Sequence, residues 1–158
     1  MPKVPTLFQG LPPHRTANDY QKYFCKRGPG HARFFVWSSN FGSGKTFALC
    51  WLAAYLAKKF PGNVIYLGRK HLKHFYDTTY LTFLRAVPKH IWHWESYGGM
   101  RPEYVRFPNG SIIFFVGYQD PGAKLGGEPG AFLVDQVEEL SPDMWTYLEG
   151  RLRAPGIP

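Results

Sequence analysis

The run Ser39-Asn40-Phe41-Gly42-Ser43-Gly44-Lys45-Thr46 constrains this chain more than any other. It joins an apolar β-like segment, Ala32-Arg33-Phe34-Phe35-Val36-Trp37, to an apolar helix-like one, Phe47-Ala48-Leu49-Cys50-Trp51-Leu52-Ala53-Ala54-Tyr55-Leu56. A strand that turns sharply into a helix aims backbone N–H groups into the turn, and the helix start adds partial positive charge. Gly42 and Gly44 permit backbone dihedrals that a Cβ resists. In this setting the pattern predicts a phosphate-binding loop, with Lys45 reaching the β- and γ-phosphates of a nucleotide and Thr46 offering a hydroxyl to Mg²⁺. Ser39 stands where the full pattern has its first glycine. The competing reading is a Gly/Ser-rich strand-to-helix turn with an incidental lysine.

With 158 residues the chain can hold one domain with a real core. Its 44% hydrophobic content and regular Gly/Pro punctuation argue against disorder. The formal net charge of +8 favours a polyanionic partner: nucleic acid, a nucleotide or an anionic surface. The basic residues are scattered, with small groups at Arg69-Lys70-His71 and Arg151/Arg153, and scattered charge is equally the mark of a solvated face. Two cysteines, Cys25 and Cys50, make no disulfide framework, and Cys50 lies in the apolar helix as a small core residue. His71-x-x-His74 and His90-x-x-His93 lack the cysteine or carboxylate cluster that would complete a zinc site. The N-terminus has no signal-peptide hydrophobic run, and no apolar run approaches a membrane span. The expectation is a cytoplasmic protein with no membrane partner.

Residues 1–15 are Pro-rich and read as an extended N-terminal segment, with one domain over 16–158. A short helix is predicted from Thr16 to about Lys26, with Thr16 as N-cap, then a strand over 32–38, the loop, and a helix to about Lys59 stopped by Pro61-Gly62. Residues 63–68 form a continuous apolar run, the signature of a parallel strand covered on both faces. A helix follows over 70–86, ended by Pro88. Residues 103–107 and 111–116 flank Pro108-Asn109-Gly110 as a hairpin. After a Gly-rich loop over 121–130, a strand over 131–135 ends in Asp135, and Ser141-Pro142-Asp143 opens a last helix with serine as N-cap and proline at the first helical position. The alternation predicts an α/β fold with a mainly parallel central sheet, doubly wound, carrying a hairpin.

Phosphate-loop ATPases need a carboxylate at the C-terminal tip of a neighbouring strand to hold Mg²⁺, and Asp135 ends Phe132-Leu133-Val134 at such a tip. An ordinary strand-ending aspartate is the alternative. Hydrolysis also needs a group that orients or deprotonates the attacking water. Gln136 follows the aspartate directly, and its amide can orient water but not act as a base near neutral pH. Glu138 and Glu139 lie close behind, either folding back onto that water or forming a solvated acidic helix entrance.

Taken in order, these pieces resemble the N-terminal ATPase domain of tailed-phage large terminases, the DNA-packaging motor subunits. The likeness covers about residues 20–153: Asn40–Thr46; Leu67-Gly68-Arg69-Lys70 running on through Asp77-Thr78-Thr79; the Pro108–Phe115 hairpin; Leu125-Gly126-Gly127; Phe132–Leu140; and Gly150-Arg151-Leu152-Arg153. The resemblance implies a three-layer sandwich of the P-loop NTPase type, in its additional-strand, catalytic-glutamate branch, with a β-hairpin insertion. It implies ATP and Mg²⁺, held by Ser39, Asn40, Phe41, Gly42, Ser43, Gly44, Lys45 and Thr46 with Asp135, and adenine reading near Tyr20 and Gln21. Catalysis would be in-line attack of water on the γ-phosphate, with Lys45, Asp135, Gln136, Glu138 and Glu139 as the candidate catalytic residues. The implied partners are double-stranded DNA, a portal protein, a small terminase subunit and further copies in a ring, in the host cytoplasm at the procapsid.

Three positions depart from the family pattern: Phe41 replaces an arginine inside the loop, Gly126 stands where some relatives carry an arginine finger, and Gln136 replaces the usual glutamate. The family continues with a coupling-motif strand and a nuclease domain that residues 154–158 do not supply. The expectation is an ATPase domain incomplete at its C-terminal end, a fragment rather than a split gene. A helicase-like ATPase, a small-molecule kinase and a nucleotide-binding module with little hydrolysis remain the competing functions.

Overall fold

A computed structural model of the chain describes residues 36–38, 40, 42–89, 93–95, 101–119 and 128–152. At its centre runs β1 (Val64–Arg69), joined by β2 (His93–Glu95), β3 (Tyr104–Arg106), β4 (Ile112–Gly117) and β5 (Ala131–Val134) in one sheet of order β2-β3-β4-β1-β5. β1 pairs in parallel with β4 on one side and β5 on the other, while β3 runs antiparallel to β2 and β4. Side chains of a strand alternate between faces. Accordingly, Ile65 and Leu67 enter one core while Tyr66 enters a second on the opposite face, and all three are buried. Burial on both faces is why this strand is a continuous apolar run rather than an alternating one.

Helices cover both faces, so the fold is α/β. The first, α1 (Lys45–Lys59), and the second, α2 (72–86), pack on one side with Ile113, Phe115 and Leu133; the third, α3 (Pro142–Arg151), sets Met144 and Leu148 against Tyr66 and Tyr118 on the other. α1 buries Ala48, Cys50, Trp51, Leu52, Ala53, Ala54, Leu56 and Ala57, a face so wide that only tertiary contact on most sides accommodates it. It ends where expected, before Pro61 and a left-handed Gly62. Asn109 of the hairpin turn donates its amide N–H to the Ala57 carbonyl at 2.8 Å, and the Ser111 hydroxyl donates to the Phe60 carbonyl at 2.8 Å. The turn thereby satisfies carbonyls that the helix end cannot satisfy itself. At α3, Ser141 accepts from the Met144 N–H at 3.3 Å with Pro142 behind it, the cap read from sequence.

Three features differ from expectation or add to it. Residues 36–38 form no strand, while 32–35, the 1–15 segment and the 16–26 helix lie outside the described residues. The hairpin is not a peripheral insertion, because β4 pairs directly with β1 and places the hairpin within the main sheet. Finally, α2 is not uniform: an α turn at Leu72–His74 passes into a π-helical stretch, Phe75–Thr79, before α geometry resumes over Tyr80–Ala86.

Close approach dictates one glycine. A Cβ at Gly68 would run into the Val116 carbonyl oxygen and lie 2.7 Å from Val116 Cγ2. Gly68→Ala is expected to cost about 1–3 kcal/mol through overpacking. Urea denaturation reads this as a lower midpoint at unchanged slope; an unmoved midpoint contradicts the close packing.

Candidate phosphate and metal site

Asp135 lies one residue past β5. Its N–H donates to the Gly68 carbonyl at 2.8 Å, which carries the ladder with β1 one step further and fixes the backbone under the carboxylate. The side chain is 7% exposed and accepts hydroxyl hydrogens on both oxygens. Thr46, in the first turn of α1, donates to Oδ1 at 3.0 Å and lies 3.3 Å from Oδ2, across 89 positions of sequence. Thr79, the last residue of the π-helical stretch, donates to Oδ2 at 2.6 Å. Cys50, one turn beyond Thr46, donates its S–H to the Thr79 carbonyl at 3.8 Å. Burial pushes the Cys50 thiol well up, and the charge of Asp135 adds to that, so the sulfur stays protonated.

The loop before α1 uses its glycines as predicted. Gly42 has φ 76°, and Gly44, the residue capping α1, has φ 83° and ψ 22°, both in the left-handed region. A glycine at this position brings no capping side chain, and the first turn contains no acid. Such a helix start is suited to an anion. The Lys45 ammonium donates to the Asn40 carbonyl at 3.2 Å and so sits over the loop's own backbone. Ser39, Phe41, Gln21 and Gly126 lie outside the described residues.

Beyond Asp135 the candidates for water activation separate. Gln136 adopts φ 59°, ψ 57°, a left-handed conformation in a residue with a Cβ, and a 3₁₀ turn follows over Val137–Glu139. Strain of this kind, about 1–3 kcal/mol, concentrates at functional sites. Glu139 is engaged elsewhere: Arg69, the last residue of β1, donates Nη2 to Oε1 at 2.5 Å and Nε to Oε2 at 3.1 Å. The guanidinium holds the Glu139 carboxyl below the ordinary carboxylate range, which makes it a poor base. Glu138 is exposed.

Because the Glu139 carboxyl is lowered on folding, its stabilisation is complete above its ordinary value of about 4.5 and is lost as pH falls through the folded-state value. Arg69→Gln is expected to cost about 1 kcal/mol near neutral pH, the scale of a partly exposed pair. The gap should narrow as pH falls below the ordinary carboxylate value and through the lowered folded-state one. Denaturant midpoints measured across that range check it; a gap indifferent to pH contradicts the pairing.

Just past β1, His71 Nδ1 lies 2.9 Å from Gln119 Oε1. Among the described residues no three His, Cys, Asp or Glu side chains gather into a metal cage. A Mg²⁺ ion needs none, since it takes hard oxygens from one or two carboxylates, water and substrate phosphates. Asp135 and the Thr46 hydroxyl are donors of that kind, so the residues present fit such an ion. Among the described residues, no helix is long and apolar enough to cross a membrane.

Thr79 and Arg69 received no role from the sequence. A signal for Thr79 existed: it shares a helix face with Phe75, Tyr76, Tyr80 and Phe83, all buried, and a hydroxyl on an apolar face needs a partner. Arg69 offered none. No family model matches the chain, and no curated protein matches it in sequence.

Proposed function

We propose that the chain is the ATPase domain of a DNA-packaging motor of the large-terminase type, with a P-loop NTPase fold of the additional-strand branch. ATP and Mg²⁺ bind between the start of α1 and the tips of β1 and β5. The observation that carries this reading is the contact of Thr46 with Asp135 across 89 positions, at the mouth of a glycine loop and a strand end. A chance Gly-Lys-Thr gives no reason for that meeting. The motor half of the proposal rests on the ordered likeness to terminases and on the net charge of +8.

In this reading the Lys45 ammonium exchanges the Asn40 carbonyl for phosphate oxygens and stabilises the charge that develops there. Thr46 and Asp135 hold the cation. When bound, Mg²⁺ neutralises phosphate charge. The Gln136 amide orients water without taking its proton. In the assembled motor, as a ring with portal protein and small subunit, hydrolysis would drive double-stranded DNA.

A second reading, a nucleotide-binding module with little hydrolysis, is favoured by one specific observation: Arg69 occupies Glu139, and Gln136 is no base. Phosphate release with and without double-stranded DNA separates the two. The motor reading expects release that DNA stimulates. Nucleotide binding without release selects the module; release indifferent to DNA contradicts the motor; and transfer of phosphate to a metabolite selects a kinase.

A further inference from the structure

We infer that Thr79 is a positioning residue for Asp135, holding one carboxylate oxygen so that the other is presented with Thr46 to the cation. The inference rests on the nucleotide reading above. Three observations carry it. The Thr79 hydroxyl lies 2.6 Å from Oδ2, while the shorter contact of Thr46 is to Oδ1 at 3.0 Å, so the two threonines divide the carboxylate between them. Thr79 is wholly buried on an otherwise apolar helix face, where valine would fill the same space without needing a partner. It also terminates the π-helical stretch Phe75–Thr79, a distortion that recurs at functional sites, and the Thr78 hydroxyl braces that stretch by donating to the His74 carbonyl at 2.7 Å.

The division has a physical consequence. With Thr79 on Oδ2 and Thr46 nearer Oδ1, both oxygens are tied and rotation about the Cβ–Cγ bond is restricted. The single Thr46 hydroxyl, within 3.0 and 3.3 Å of the two oxygens, does not distinguish them as sharply. Arg69 stands close enough to feel the charge of Asp135 as well as that of Glu139, so a released carboxylate has a competing cation nearby. Groups that orient a metal ligand without touching the metal typically contribute 10–100-fold to its affinity. Thr46 does the same from the ligand's other side, but it sits in the first turn of α1, directly behind the loop that would meet the nucleotide. Thr79 belongs to α2, outside the loop and α1, and holds Asp135 from there.

The test titrates Mg²⁺ into the full chain with a fluorescent ATP analogue and reads the concentration that half-restores tight binding, alongside affinity in EDTA. In Thr79→Val the Mg²⁺ midpoint is expected to rise about 10–100-fold. Affinity in EDTA should stay within about twofold, because Lys45 and the loop are untouched. Thr79→Ser, which keeps the hydroxyl, should stay within about threefold of wild type throughout. Thr79→Ala against Thr79→Ser, a pair differing by one oxygen, makes the same comparison without depending on the fit of valine. Equal midpoints in wild type and Thr79→Val, or in the Ala/Ser pair, overturn the role of Thr79 and leave the nucleotide reading standing. A wild-type chain that binds no nucleotide in either condition overturns both.

Discussion

Lys45→Ala is expected to abolish measurable nucleotide binding while leaving the fold intact. The lysine opens α1, and its ammonium sits 3.2 Å from the Asn40 carbonyl, over the loop that would receive phosphates. Removing the cation from an anion site leaves phosphate charge uncompensated in partly dehydrated surroundings, at a cost of about 3–5 kcal/mol. That is roughly two to nearly four powers of ten in affinity. The folded state loses little, because the hydrogen bond to Asn40 is exposed and exposed polar contacts contribute about 1 kcal/mol at most. Fluorescence anisotropy with labelled ATP, paired with a denaturation curve, reads both halves. Lys45→Arg keeps the charge but replaces a compact ammonium with a planar fork, so partial recovery is expected. Equal affinity in wild type and Lys45→Ala contradicts the loop assignment.

Phe115→Ala is expected to bring the protein close to unfolding. Phe115 is 4% exposed on β4, and its ring centroid lies 5.3 Å from Phe75, 5.2 Å from Tyr80 and 5.3 Å from Phe83. One side chain thus joins the sheet to most of α2. Truncating a buried phenylalanine typically costs about 3–5 kcal/mol, against about 5–15 kcal/mol for a whole domain. The loss should appear as a large drop in urea midpoint, and Phe115→Leu, which leaves a smaller cavity, should lose less. Because Thr79 lies on the helix face that Phe115 anchors, the Mg²⁺ midpoint should worsen in whatever folded fraction remains. A Phe115→Ala variant as stable as wild type contradicts the packing described.

Much of the frame was legible because its signals are local. The bounds of α1 follow from Gly44 before it and Pro61-Gly62 after it, β1 from a continuous apolar run, and the α3 cap from Ser141-Pro142. Asp135 was legible as a strand-ending acid; its meeting with Thr46 follows from β5 lying beside β1 in the sheet on which α1 packs. What escaped depends on tertiary partners. Among the described residues β2 pairs with β3 alone, and the His90-x-x-His93 spacing gave no sign of a short edge strand. The π-helical stretch adds no distinctive residue type, since Phe75–Thr79 continues an ordinary amphipathic pattern. The pairing of Glu139 with Arg69, seventy residues away, was silent in sequence. The left-handed backbone of Gln136 likewise leaves no trace in residue choice, because glutamine is not a residue selected for that conformation.

The most direct measurement is calorimetric titration of ATP into wild type and Asp135→Asn, each with Mg²⁺ and with EDTA. The substitution keeps the side chain's shape and removes its charge. The expected result is that Mg²⁺ strengthens ATP binding to wild type, that Asp135→Asn loses most of this gain, and that the two proteins match in EDTA. A Mg²⁺ effect of the same size in both proteins, or none in wild type, would contradict a shared site for the nucleotide and its cation at Thr46 and Asp135.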